Sequence, residues 1–407
     1  NPCPFGSASS SLAEGTKIIM QKKNLLLIFK DKKKITKNQD FWIDKLSKGY
    51  EVWDFYLHEH LHLTNSKIIE KINNKITSKN IDVLLIEGDH LALNDLFFLR
   101  SINQKVLKGL FLGDDSEWHQ VNLISASIFD FILTDPVSVL KFKELGIESL
   151  YCPIEANEEI FKDYNLEKNI DILLFGRKKP DTEKYLELLD KNKIKYLRVD
   201  PYMEISDTLE KLARLINKSK IVINFTKTLN GNKSFNPLSK YKYGYFAKGR
   251  PLMSGLCNTL CISEYAPSND LLYPDGEFPN FKNQDEFIKI IKLYLNDKKK
   301  LLNDTKIFKD SCLKYSDKEY IKVLVNFINN IKRRNSNINI KIPFWYYLIA
   351  IKQYFRLRSK FNKRKTFFMQ FFENFKMPIY LFPINIFFFI RFLPSLIIKV
   401  ILNKSDD

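Results

Sequence analysis

The sequence predicts an α/β protein made of two tandem doubly wound domains, each a parallel sheet layered with helices, followed by a basic, aromatic helical tail. Three observations carry this expectation. Apolar runs of strand length recur in two series with helix-period segments between them. The series are separated by one polar stretch without a long apolar run, 151–169. The last fifth of the chain then changes composition abruptly.

The 407 residues exceed one ordinary core, and a 45% hydrophobic content with only 13 Gly excludes a fibrous or disordered chain. The opening "NPCPFGSASSSLAEG" lacks the apolar segment of a secretory leader, and Met20 is a plausible native start. Residues 1–19 are therefore expected to be a tag or disordered. The expected units are then 20–157, 158–335 and the tail 336–407. The five cysteines, an odd number scattered along the chain, form no disulfide framework, so a reducing cytoplasmic setting is expected. Cys257 and Cys261 have no second Cys/His pair nearby and read as small apolar core residues rather than metal ligands.

In the first series, strands are expected at "NLLLIF" (24–29), "YEVWDFYL" (50–57), "IDVLLIEGD" (81–89), "VLKGLFLGDD" (106–115) and "IFDFILTD" (128–135). Helices are expected at 65–76 and 136–146. In the second series the strands are "IDILLFGR" (170–177), "IKYLRVDPY" (194–202), "SKIVINFT" (219–226) and "TLCISEY" (259–265). Helices with apolar spacings of three and four fill the gaps at 182–192, 208–219 and 283–297, the last opening on an Asn cap. Near-continuous apolar strands alternating with helices imply parallel sheets buried on both faces. Ligands of such sheets bind beyond the strands' carboxyl ends, and two sheets facing each other make a cleft.

The stretch "KGRPLMSGLCNTLCISEYAP" (248–267) places Lys248 and Arg250 before a short small-residue helix at about 251–257. A strand ending at Glu264 follows. Cationic side chains beside a helix N-terminus suit a diphosphate, and a carboxylate at a strand's carboxyl end suits sugar or ribose hydroxyls. The alternative is that Lys248 and Arg250 are solvated surface charges and Glu264 begins a turn. In the first series "EGDH" (87–90) and "GDDSEWH" (113–119) follow strong strands and fall at the cleft-facing edge. Asp89, His90, Asp114, Asp115, Glu117 and His119 are thus eligible to act as a base toward an acceptor hydroxyl. Of these, Asp115, His119, His90 and Asp89 are the candidate catalytic residues. The competing reading makes Asp114 and Asp115 a turn and helix cap. "HEHLH" (58–62) could suggest a metal, but exposed histidines at a strand edge are the commoner case.

The segment "KGRPLMSGLCNTLCISEYAPSNDLLYPDGE" (248–277) resembles the donor-binding segment of GT-B glycosyltransferases, particularly the spore-maturation-protein-like branch. "IDILLFGR" and "GLFLGDDSEWH" (109–119) resemble further elements of that family, and the resemblance covers roughly 80–300. It implies a GT-B fold and a nucleotide-sugar co-substrate, with Lys248 and Arg250 on the diphosphate. It also implies Glu264 and Glu277 near donor hydroxyls, and Gly176 and Arg177 flanking the cleft. A positioned, already good leaving group needs cations or helix N-termini more than covalent help. "GDD" is like the metal-binding acidic motif of the other main glycosyltransferase fold, but that fold has one mixed-sheet domain and two tandem series of strands are read here, so no essential metal is expected. Two positions depart from the family pattern: Met253 stands where a ribose-binding Glu is usual, and Asn258 where Gly is usual. Tyr245 and Met253 also replace the paired glutamates of broader retaining families. A catalytically degenerate sugar-nucleotide-binding or scaffold protein is therefore the first alternative.

Residues 331–407 hold fifteen Lys/Arg against three carboxylates, about two thirds of the chain's net +18, and eighteen aromatics. Basic clusters interleaved with Phe-rich runs suit an anionic membrane interface. The tail is therefore expected to bind peripherally at the inner face of the membrane. The longest uncharged run in it, 377–390, has 14 residues and two prolines, too short for a span. Packing of the tail against the domains is one alternative. A nucleic-acid partner is another, but the continuous apolar Phe runs exceed what base stacking needs. The combined expectation is a glycosyltransferase acting on a glycan or lipid-linked acceptor in cell-surface polysaccharide or lipopolysaccharide assembly.

Overall fold

The computed structural model describes residues 22–29, 43–60, 63, 65–88, 102, 105–113, 115, 119, 122–123, 126–153, 157–176, 180–199, 209–226, 249–273, 276 and 278–333. Tail residues 334–407, and with them the expected membrane segment, lie outside the described residues.

Two all-parallel sheets form the body. The first contains β1 (Asn24–Phe29), β2 (Glu51–Tyr56), β3 (Val83–Glu87), β4 (Leu107–Leu112), β5 (Phe131–Thr134) and β6 (Glu148–Tyr151), in the order β2-β1-β3-β4-β5-β6. The second contains β7 (Ile170–Phe175), β8 (Tyr196–Val199), β9 (Ser219–Asn224), β10 (Leu260–Glu264) and β11 (Asn280–Phe281), in the order β11-β10-β9-β7-β8. Each chain path runs outward from its first strand, returns, and continues on the other side. Each sheet therefore has one topological switch point, between β1 and β3 and between β7 and β9. The architecture is the tandem doubly wound pair that the sequence predicts.

Burial explains why the strands read as unbroken apolar runs. Along β1, Leu26 and Ile28 face one core with Ile68, Ile72 and Ile76 of α1 (Asn65–Ser78), while Leu25, Leu27 and Phe29 face another. Alternate side chains point to opposite faces, and both faces are covered. Helix ends follow local chemistry. Asp135 accepts from the N–H groups of Val137 and Ser138 at 3.1 Å and starts α2 (Pro136–Glu144), with Pro136 at the first helical position. Gly146, at φ +71°, ends it: Ile147 N–H reaches Phe142 O and Gly146 N–H reaches Lys143 O. In the second domain, α3 (Pro180–Lys191), α4 (Leu209–Asn217) and α5 (Arg250–Leu256) alternate with the strands. After β10 come α6 (Pro267–Leu272), α7 (Gln284–Asn296) and α8 (Lys298–Leu313). α7 has the expected cap, Asn283 accepting from Glu286 N at 2.9 Å.

Three elements differ from the sequence reading. β6 lies at the boundary of the stretch read as a linker, and β11 is a two-residue edge strand. The last described helix, α9 (Asp317–Asn330), falls within the range expected for the second domain but packs on the first. Its Tyr320, Ile321, Leu324 and Ile328 complete the core facing Leu25, Leu27, Leu133 and Cys152. The chain thus crosses back to clasp the first sheet. The domains also meet where α2, leaving the carboxyl end of β5, touches α6, leaving the carboxyl end of β10. Tyr151 packs edge-on against Tyr315 at 5.6 Å.

At the amino end of the second sheet, half-buried Lys168 donates to Asn217 O (3.2 Å), Ser219 O (2.9 Å) and Thr259 Oγ1 (2.8 Å). Burial holds its ammonium down from 10.5 to about 8, with Asp163 opposing.

Two outcomes follow. Leu324→Ala should cost roughly 2–5 kcal/mol by opening the α9 contact, lowering the urea midpoint of the chain; an unchanged midpoint contradicts the clasp. Because Lys168 binds its proton less well folded than unfolded, stability should rise with pH between about 8 and 10.5. Relative to Lys168→Met, that rise should be visible in urea melts across this window; parallel curves would refute it.

Candidate functional site

The second sheet's switch point is where the sequence placed a donor site, and the residues there are organised around Arg250. β7 ends at Phe175 and turns through Gly176 at φ +125°. β9 ends at Asn224, whose Oδ1 accepts from Arg250 Nη1 at 3.2 Å. The guanidinium lies over the Phe175 ring, 5.5 Å from its centroid. A Cβ on Gly176 would collide with Arg250 Nη2. The backbone conformation favours glycine at this position, and a side chain there would displace the guanidinium tip from its place. Arg250 is half-buried and lines a small recess with Phe175, Gly176, Arg198, Ile223 and Phe225. A cation is held across the carboxyl ends of the two strands that flank the switch point.

Glu264 ends β10 and is only 4% exposed. Its Oε2 accepts from the Thr226 N–H at 3.1 Å and stands 3.5 Å from the Thr226 hydroxyl. Ser263 joins the same edge by accepting from Asn224 Nδ2 at 2.9 Å. Arg250 and Glu264 are therefore brought together through the β9 end, with the carboxylate anchoring the backbone just beyond β9. Lys248, Arg177 and Glu277 lie outside the described residues.

Both departures from the family pattern have a structural context. Asn258 adopts φ +55° just after α5, where Asn258 N–H bonds Gly255 O and Thr259 N–H bonds Ser254 O. Asn is the residue that best replaces Gly in this left-handed helix end. Met253, at 8% exposure, packs in the second domain's core. Cys257 and Cys261 are fully buried, as the apolar reading expects, and burial pushes the Cys257 thiol up to about 12.

In the first domain, Asp115 and His119 are brought together but have no accessible surface. Asp115 Oδ2 lies 2.7 Å from His119 Nδ1, and Asp115 Oδ1 accepts from Asn122 Nδ2 at 3.0 Å. The imidazole rests 4.9 Å from the Phe142 ring. Asp135, Ser138 and Lys141 of the α2 turn complete a buried polar cluster. Burial would raise the Asp115 carboxyl, but His119, Ser138 and Lys141 outweigh it and hold it below the ordinary range. Burial and the Asp115 charge raise Asp135. Burial lowers Lys141, and among the described residues neither its Nζ nor His119 Nε2 has a hydrogen-bond partner. Asp89, His90, Asp114 and Glu117 lie outside the described residues. Of the "HEHLH" histidines, the described side chain is His60, tilted over Phe55 at 4.7 Å.

Sequence reasoning did not find Phe175, Asn224 or Thr226. A strand's last residues carry no pattern that says which side chain turns toward a ligand edge. It also did not find Asp135 and Lys141, which lie at the end of a strand run and inside a helix-period segment.

No family profile and no curated protein matches the chain. Among solved structures it is similar to sucrose-phosphate synthase from Thermosynechococcus elongatus, at 10% identity and TM-score 0.48, covering 76% of this chain and 98% of that one. It is similar to Anabaena HepE in complex with UDP-glucose, at 11% identity and TM-score 0.48, covering 74% and 98%. It is also similar to an α1,3-fucosyltransferase, at 13% identity and TM-score 0.48, covering 82% and 96%.

Two substitutions test this geometry. Gly176→Ala should lower stability by roughly 1–3 kcal/mol, because a side chain is forced into a disfavoured conformation against Arg250; an unchanged thermal midpoint contradicts the packing. Asp115→Ala should cost roughly 3 kcal/mol or more by leaving buried His119, Asn122 and Lys141 without their carboxylate. A wild-type midpoint for that variant would show that the cluster is not held by Asp115.

Proposed function

We propose that the protein is a glycosyltransferase that moves a sugar from a nucleotide-sugar donor to a glycan or lipid-linked acceptor. The observation that carries this reading is the Arg250 guanidinium, fixed over the β7–β9 switch point by Phe175, Gly176 and Asn224. Open α/β sheets bind their ligands there, and a planar cation with fixed donors suits a diphosphate. The resemblance of 248–277 to GT-B donor segments points to the same place.

In this mechanism Arg250, with Lys248 beside it in sequence, meets the charge that develops on the departing diphosphate. Glu264 holds the backbone after β9 and takes the donor-hydroxyl role that the resemblance implies for it and for Glu277, while Gly176 ends the β7 turn and Arg177 follows it in sequence. Asp89 and His90, which come two and three residues after β3 in sequence, are assigned the acceptor side in this reading. Asp115 and His119, buried just after the carboxyl end of β4, fix the corner from which α2 departs. Cationic side chains carry the leaving-group charge, so transfer is independent of a metal and should persist in EDTA.

The biological setting we propose is cell-surface polysaccharide or lipopolysaccharide assembly at the cytoplasmic face of the membrane, with the basic, aromatic tail as a peripheral anchor. Among the described residues no helix is long and apolar enough to cross a membrane. The second reading, a degenerate sugar-nucleotide-binding protein, is favoured by Met253, which offers no carboxylate to a ribose. Nucleic acid is not the partner in either reading.

A panel of nucleotide sugars assayed for donor hydrolysis and transfer separates the two. Turnover with at least one donor supports the transferase, whereas binding without turnover supports the degenerate reading. Neither binding nor turnover with any donor overturns both. Charge reversal at Lys363, Arg364 and Lys365 should weaken flotation of the full chain with anionic liposomes; unchanged flotation would defeat the tail's role.

A further inference from the structure

Helix α8 carries two stripes. Leu301, Thr305, Phe308 and Cys312 are buried, and Gly255 of α5 is so close that a Cβ there would collide with Cys312 Sγ. Beside this stripe run Lys299, Leu302, Lys306, Lys309 and Leu313, spaced three and four residues apart and so aligned along one face. Leu302 is 58% exposed and Leu313 42%. Of the six most exposed large hydrophobic residues among those described, three are on α8: Leu302, Ile307 and Leu313. Leu302 and Leu313 lie on the lysine stripe, whereas Ile307 projects from another side of the helix, so the face combines two exposed leucines with lysines.

The same face borders a cavity of about 380 Å³ at the amino end of the second sheet, remote from the strands' carboxyl ends. Lys168, Lys220, Lys306 and Lys309 line it together with Asn258 and Leu302, and Asp310 is the one carboxylate in the lining. Lys220 pairs with Asp171 at 2.6 Å and Lys309 with Asp163 at 3.3 Å. Lys168 spends its three donors on Asn217 O, Ser219 O and Thr259 Oγ1, so it adds positive field to the cavity, and exposed Lys306 is the lysine placed to donate to a ligand. Exposed Leu302 beside Lys306, Lys309 and Lys220 at the mouth of this cavity, with Leu313 further along the same stripe, matches the chemistry of a phospholipid surface. There aliphatic side chains enter the headgroup boundary and ammonium groups meet phosphate.

We propose that the α8 face docks on an anionic phospholipid surface and that the Lys168–Lys306 cavity receives a headgroup phosphate. This contact is separate from the aromatic tail. It extends the membrane-surface reading above and is indifferent to whether the transferase reading holds, because its test measures partition and not turnover.

The experiment is flotation of the full-length chain with phosphatidylcholine vesicles, with and without phosphatidylglycerol. Leu302→Asp and Lys306→Glu alter exposed side chains only and should leave the thermal midpoint unchanged. Each is expected to lower partition onto phosphatidylglycerol vesicles by roughly tenfold at low salt, while binding to neutral vesicles stays negligible. Wild-type partition by both variants, or no wild-type partition at all, overturns the proposal. A parallel arm adds sn-glycerol 3-phosphate and reads the thermal midpoint. If the soluble phosphate stabilises the wild type but not Lys306→Glu, and neither variant changes vesicle binding, the cavity takes a free phosphate ester and the lipid assignment is overturned.

Discussion

The constraint on which the site depends is the contact between a guanidinium and a residue without a side chain. Arg250 reaches the β7–β9 switch point because Gly176 leaves room for it and Phe175 supplies a ring beneath it. Asn224 then fixes its orientation with one hydrogen bond. Phe175 and Gly176 come from the end of β7 and Asn224 from the end of β9, so the cation is positioned only once the sheet has formed with β7 beside β9. The fold's handed path, outward to β8 and back across to β9, creates the empty edge that the cation overlooks.

The two domains treat charge in opposite ways. At the second sheet's carboxyl edge a cation remains half-buried and near solvent. Beyond the carboxyl ends of β4 and β5 in the first sheet, Asp115, His119, Asp135 and Lys141 are instead sealed inside, where burial and mutual interaction drive the two carboxyls apart in acidity. A sealed cluster of this kind specifies a corner of the fold more readily than it meets a substrate, since every member lacks an open side. The α9 clasp and the α2–α6 contact then connect the domains through packing.

Much of the scaffold was legible in the sequence because burial on both faces leaves an unambiguous apolar run. "NLLLIF" is β1 to the residue, and "IDILLFGR" contains β7 with Gly176 at its turn. β6 was not visible because "ESLY" is an edge strand with an exposed start, and β11 has only two residues. α9 was legible as an apolar-periodic segment at most, since no local feature states which domain a helix will cover. For the site, Arg250, Gly176 and Glu264 were found from their places after strands and before a helix. The partners that orient them, Phe175, Asn224 and Thr226, are set by tertiary proximity alone. Burial of Asp115 and His119 was likewise invisible, because a polar motif after a strand reads the same whether the following turn opens outward or folds in.

The account rests on a guanidinium that recognises a pyrophosphate, and calorimetric titration reads this directly. A nucleoside diphosphate and the matching monophosphate would be titrated into the wild type and into Arg250→Gln. Arg250→Gln is predicted to weaken the diphosphate by roughly 30-fold or more, the loss of a charge-assisted contact, while changing the monophosphate far less. Equal diphosphate affinity in the two proteins would contradict the assignment of this edge as the donor site.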